Sequence, residues 1–147
     1  MGTKSSIEQL NHFLRGEISA VETYRIALEK LETVSPARAD VQTCMQSHQT
    51  RVTMLREAIL AAGGTPVDSS GPWGAFAKVV EGGASMLGDK AAIAALEEGE
   101  DHGVKDYRGD MAQLDAQTQQ LITSKLQPEQ QQTHDRMSAL KKRLAAS

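Results

Sequence analysis

One cysteine, Cys44, is all this chain of 147 residues holds, so no internal disulfide framework staples it. Aromatic residues make up only 3%. Strand-forming aromatic and β-branched patterning is therefore thin, while Ala, Leu, Gln, Glu and Lys favour helices. No apolar stretch is long enough to span a bilayer, and MGTKSSIEQL has no apolar run after its lysine, so neither an anchor nor a secretory leader is expected. Charge of one sign is also missing: the formal net charge is −3, which gives no pull toward nucleic acid or an anionic membrane. We expect a single helical domain over residues 1–147, cytoplasmic, with neither nucleic acid nor membrane as partner.

What is present is helical periodicity broken by clear stops. Ser5 and Ser6 followed by Glu8 and Gln9 read as a capping box for a helix from about Ile7 to Thr33. Ser35-Pro36 reads as cap plus first helical position of a second helix, ended by Gly63-Gly64-Thr65-Pro66 after Ala62. Residues 63–89 then hold seven of the twelve glycines. Within them Trp73, Phe76, Ala77 and Val80 follow the spacing of a short amphipathic helix. A third helix is expected from Lys90 to about Leu114 and a fourth from an Asp115 cap to about Leu144, kinked or split at Pro128. The first and last connections are short and the middle one is long. That pattern predicts an all-α four-helix bundle with a long crossover between helices two and three, containing a short extra helix.

GEISAVETYR from Gly16 and GEDHGVKDYR from Gly99 nearly repeat each other, sharing Gly, Glu, Val, Tyr and Arg. Each repeat sets a glutamate in an apolar stripe. Helix one reads Leu10, Leu14, Glu17, Val21, Tyr24, Leu28, Leu31; helix three reads Ile93, Glu97, Glu100, Val104, Tyr107, Met111, Leu114. Helix two gives Val41, Met45, His48, Val52, Leu55, Ile59, Ala62, and the last helix gives Gln130, His134, Met137, Leu140, Leu144. Each stripe thus carries a Glu or His near its middle. Buried carboxylates side by side repel and are costly to desolvate. A divalent cation removes both problems, and Glu with His suits iron, manganese or zinc. Glu17, His48, Glu97, Glu100 and His134 are the candidate ligands. The competing reading is a Glu–His network that shares protons and fixes register without metal.

Other residues fit quieter roles. The tyrosines stand seven residues beyond the glutamates and read as core residues with a bonded hydroxyl. Cys44 reads as a small core residue, and His12, His102 and Glu22 as surface. Trp73, Phe76, Val79 and Val80 form an apolar load that would cap the bundle or serve a homo-oligomer. No nucleophile–base pair, phosphate loop or dinucleotide fingerprint is present, so catalysis is not expected.

GEISAVETY, GGTPVDSSGPWGAFAKVVEGGA, GDKAAIAALEEGEDHGVKDY and LQPEQQQTH together resemble the bacterial ferritin-like four-helix-bundle proteins catalogued as a domain of unknown function. The resemblance implies a ferritin-like fold and, from the wider group, a di-metal carboxylate site built from two single Glu and two Glu-x-x-His motifs. Glu17 and Glu100 match the single glutamates; His48 and His134 match the histidines. Met45 and Gln131 stand where the bridging glutamates belong. The expectation is therefore a degenerate or one-metal centre, serving stress or metal handling. A non-metal structural or interaction bundle is the alternative.

Overall fold

In a computed structural model the described residues are 2–70, 88–109 and 111–146. Helix α1 spans Lys4–Lys30, α2 Arg38–Ala61, α3 Asp89–Tyr107, α4 Ala116–Leu121 and α5 Gln127–Ala146, with a π-helical turn over Ile122–Leu126 joining the last two. The described residues contain helices and no strands. The short helix expected over Trp73–Val80, with the apolar load read as an oligomer surface, lies outside the described residues.

The helix ends follow from local hydrogen bonding. Thr3, rather than Ser5 or Ser6, caps α1: its Oγ1 accepts the Ser6 N–H at 3.1 Å. Ser6 is buried and serves elsewhere, accepting the Asp115 N–H at 2.9 Å. Asp115 in turn caps α4 through the Thr118 N–H at 2.8 Å. The Ser6 hydroxyl so ties the starts of α1 and α4 together. Helix α2 begins two residues later than Pro36 suggests, and its cap, Ala37, makes no side-chain bond. It ends in a Schellman arrangement, with Gly64 N–H on Ile59 O at 2.9 Å and Gly63 N–H on Leu60 O at 3.0 Å. Gly63 holds φ 87°, which a glycine adopts at no steric cost. Helix α3 stops at Tyr107, short of the expected Leu114, in i→i−3 bonds from Arg108 and Gly109. Pro128 lies two residues past the π turn; the wider ring closed by the Gln127 N–H on Ile122 O leads into the proline.

Helix directions can be read from paired residues. Gly2 N–H meets Ala62 O near the start of α1, so α2 runs antiparallel to α1. Tyr24 meets Glu100 and Tyr107 meets Glu17, so α3 also runs antiparallel to α1. Consequently α2 and α3 point the same way, so the end of α2 and the start of α3 lie at opposite ends of the bundle. Helix α5 is antiparallel to both, since Arg143 meets Asp40 and Lys141 meets Glu97, while Ser47 meets Glu129 and Gln127 meets Tyr107. α1 packs chiefly on α2 and α3 on α5; the α1–α3 and α2–α5 contacts are thinner. The start of the long connection lies along α1, where Val67 N–H donates to Asn11 Oδ1 at 2.9 Å and Ser70 Oγ to Glu22 at 3.2 Å.

The core is divided. One apolar cluster gathers Ala27, Leu31, Val41, Cys44, Ile93, Leu96, Met137 and Leu140. The other gathers Leu10, Phe13, Leu14, Leu55, Ile59, Ile122 and Leu126. Between them lies a buried polar layer.

Candidate functional site: a charged layer centred on Arg51

All four sides of the bundle contribute to this layer. Glu17 and Tyr24 come from α1, His48 and Arg51 from α2, Glu100 and Tyr107 from α3, and Gln130 and Thr133 from α5; each is at most 4% exposed. His48 sits between the two glutamates. Its Nδ1 bonds Glu17 Oε1, and its Nε2 lies 2.7 Å from Glu100 Oε2. An ionised carboxylate only accepts, so satisfying both neighbours requires N–H groups on both ring nitrogens, which is the imidazolium. Burial alone would push the His48 pKa down, yet Glu100 and Glu17 outweigh both burial and Arg51, and the pKa is raised.

Arg51 is fully buried. Its guanidinium donates to Glu17 Oε2 at 3.3 Å, to Gln130 Oε1, to Thr133 Oγ1 at 2.9 Å and to Ser47 Oγ at 3.3 Å. Two anions and two cations therefore cancel inside the bundle, the condition under which buried charge is tolerated. Burial would raise the carboxylate pKa values. Arg51 and His48 overcome it at Glu17, which is lowered; His48 and then Arg51 overcome it at Glu100, which is held down to about 2.

The tyrosines complete the shell reciprocally. Tyr24 donates to Glu100 Oε2 at 2.5 Å, and Tyr107 donates to Glu17 Oε2. Burial first, then the facing carboxylate, drives both phenols well above 10, so they keep their protons. Glu100 Oε1 accepts from Gln130 Nε2 at 2.8 Å and Thr133 Oγ1 at 2.6 Å. Gln130 also donates to the Glu100 carbonyl at 2.9 Å. It reaches this far because Gly103 leaves room: a Cβ there would lie 2.7 Å from Gln130 Cδ. Among the described residues, every buried side-chain nitrogen and oxygen is hydrogen-bonded.

Of the five candidate ligands, Glu17, His48 and Glu100 come together. His134 does not join them; it lies partly buried at the bundle surface, 2.5 Å from Asp101 and 3.3 Å from Asp135. Glu97 lies 3.8 Å from Lys141, also outside the layer. The cause is a phase difference. The buried seam follows Cys44, His48, Arg51 and Leu55 on α2, Ile93, Leu96, Glu100 and Tyr107 on α3, and Gln130, Thr133 and Met137 on α5. Choosing apolar Met45 and Val52 as the α2 stripe passes over Arg51, and the same one-residue choice selects Glu97 over Leu96 and His134 over Thr133. The signal for Arg51 is its place three residues beyond His48, which puts both on one face of α2. Cys44 is a fully buried core residue whose thiol burial pushes up to about 12. His102 is exposed, and His12 pairs with Asp106 at 3.2 Å.

The residues present do not suit a metal. All four carboxylate oxygens of Glu17 and Glu100 accept from N–H or O–H donors, both His48 nitrogens are taken, and a guanidinium already supplies a positive charge. Among the described residues no group of three or more His, Cys, Asp and Glu is arranged to hold an ion.

Residues 5–113 match the family described as Domain of unknown function (DUF2383). The chain belongs to that family. The match takes in Glu17, Tyr24, His48, Arg51, Glu100 and Tyr107, and ends before Gln130 and Thr133. The family description carries no activity. No curated protein and no solved structure matches the chain. No helix among the described residues is long and apolar enough to cross a membrane.

Proposed function

We propose that this protein is a ferritin-like bundle whose centre is held by an internal cation, Arg51, and that it acts as a non-metal structural or protein-interaction module. The observation that carries the reading is the Arg51 guanidinium bonded to Glu17, Gln130 and Thr133 inside the bundle. The ferritin-like part is supported by the parallel course of α2 and α3 and by a glutamate on each of α1 and α3 facing one layer.

The convergence of Glu17, His48 and Glu100 favours a second reading, a Glu/His centre for iron, manganese or zinc in stress or metal handling. That reading requires Arg51 to leave the layer and His48 to lose a proton. Metal content decides between them. Protein purified without chelator, wild type and Glu17→Ala, is assayed by plasma mass spectrometry. The first reading expects less than stoichiometric metal, unchanged by the substitution. Stoichiometric metal in the wild type that is lost in Glu17→Ala rejects it.

A further inference from the structure

We infer that the cleft between α1 and α3 is a binding site for a small neutral molecule with an apolar body and one hydrogen-bond donor, such as a simple phenol or alcohol. The thin α1–α3 contact leaves a cavity of about 80 Å³ beside the charged layer. Gly16 and Ala20 of α1 face Gly99 and Gly103 of α3 across it. At Gly16 an added Cβ would meet nothing within 4 Å among the described residues. The accessible lining is mostly carbon. A sealed apolar cavity of roughly 150 Å³ takes up benzene. This one is about half that size and, among the described residues, only partly enclosed, with exposed His102 in its lining, so it would seat one end of such a molecule and leave the other outside.

The polar floor sets the chemistry. Tyr24 and Tyr107 spend their hydroxyl protons on Glu100 and Glu17. His48 spends both N–H groups on the same carboxylates, and the Gln130 amide spends its two on Glu100. What these groups retain is lone pairs: the phenolic oxygens can each still accept, and Glu17 Oε1 accepts from His48. A ligand bringing a donor completes them. An acceptor-only ligand finds no spare proton on Tyr24, Tyr107, His48 or Gln130, and an anion would meet two carboxylates.

Phenol is the probe, followed by NMR chemical-shift changes of the α1 and α3 amides, with anisole as the same ring lacking the donor. Saturable phenol binding is expected at these amides, at least tenfold tighter than anisole. Gly16→Leu fills the open wall and should weaken phenol at least tenfold; replacing a mid-helix glycine should leave the thermal midpoint equal or higher. Ala20→Leu blocks the same wall if the first variant folds poorly. No saturable shift in the wild type, meaning water alone fills the cleft, overturns the proposal. Undiminished binding in the folded blocking variant, or anisole binding as tightly as phenol, also overturns it. Metal content does not enter this test, so it fails or stands separately from the reading of the bundle centre.

Discussion

Tyr24 on α1 donates a hydroxyl hydrogen bond to Glu100 on α3 at 2.5 Å, and the repeat is reciprocal, because Tyr107 on α3 donates one to Glu17 on α1. Each Glu-x₆-Tyr segment is thus satisfied by the other, not by itself. Two antiparallel helices carrying the same seven-residue offset pair in this way automatically: the tyrosine of each lies level with the glutamate of the other. Tyr24→Phe and Tyr107→Phe should therefore cost similar amounts, each about 1.5–3 kcal/mol as the loss of a buried bond to a charged acceptor. Urea unfolding checks this, and a loss confined to one variant would break the symmetry.

Removing the internal cation should be far more damaging than removing a surface charge. Arg51→Met leaves Glu17 and the Gln130 carbonyl facing each other without a donor between them, and the expected loss is about 3–5 kcal/mol. Glu17→Gln in the same background should recover part of it, because the unpaired anion is gone. A double-mutant cycle in urea measures the coupling, and strictly additive losses would contradict a direct Glu17–Arg51 interaction.

Two glycines should respond with opposite sign. Gly16→Ala meets nothing within 4 Å among the described residues and gains helix propensity, up to about 1 kcal/mol of added stability. Gly103→Ala pushes a methyl into Gln130, with Cδ only 2.7 Å away, and displaces a side chain that holds both Glu100 and Arg51. Overpacking should outweigh propensity there and cost about 1–3 kcal/mol. Thermal midpoints of the pair decide it.

Stability should peak between about pH 4.5 and 6.5. Glu17 and Glu100 have lowered folded pKa values, so their contribution is present above the ordinary 4.5 and is lost as pH falls toward about 2. His48 has a raised folded pKa, so its contribution is complete below the ordinary 6.5 and fades as pH climbs through the folded value. Urea midpoints measured across pH 2–9 test this. His48→Gln should remove the decline on the alkaline side.

Much of this was legible in the chain. The glycine-rich break after Ala62, the Asp115 cap and the glutamates of the repeat all lie where local chemistry puts them, because each is decided by neighbours within a turn or two. Arg51 was hidden because burying an arginine is unfavourable until partners from other helices, Glu17 of α1 and Gln130 and Thr133 of α5, surround it, and those partners are set by tertiary packing. The same holds for Thr133, which a one-residue turn of α5 buries in place of His134; Gln130 stands in the stripe, but its partners come from other helices. Pattern reading favours the apolar phase of a helix, and it fails where a fold buries charge in pairs. The tyrosine hydroxyls needed the register between α1 and α3, which no single helix contains.

The account rests on Arg51 standing where a metal would. A crystal structure of protein grown with manganese, with anomalous scattering recorded, tests this most directly. The account predicts no anomalous peak in the layer and the guanidinium between Glu17 and Gln130. A manganese peak bridging Glu17 and Glu100, with Arg51 swung out of the layer, would contradict it.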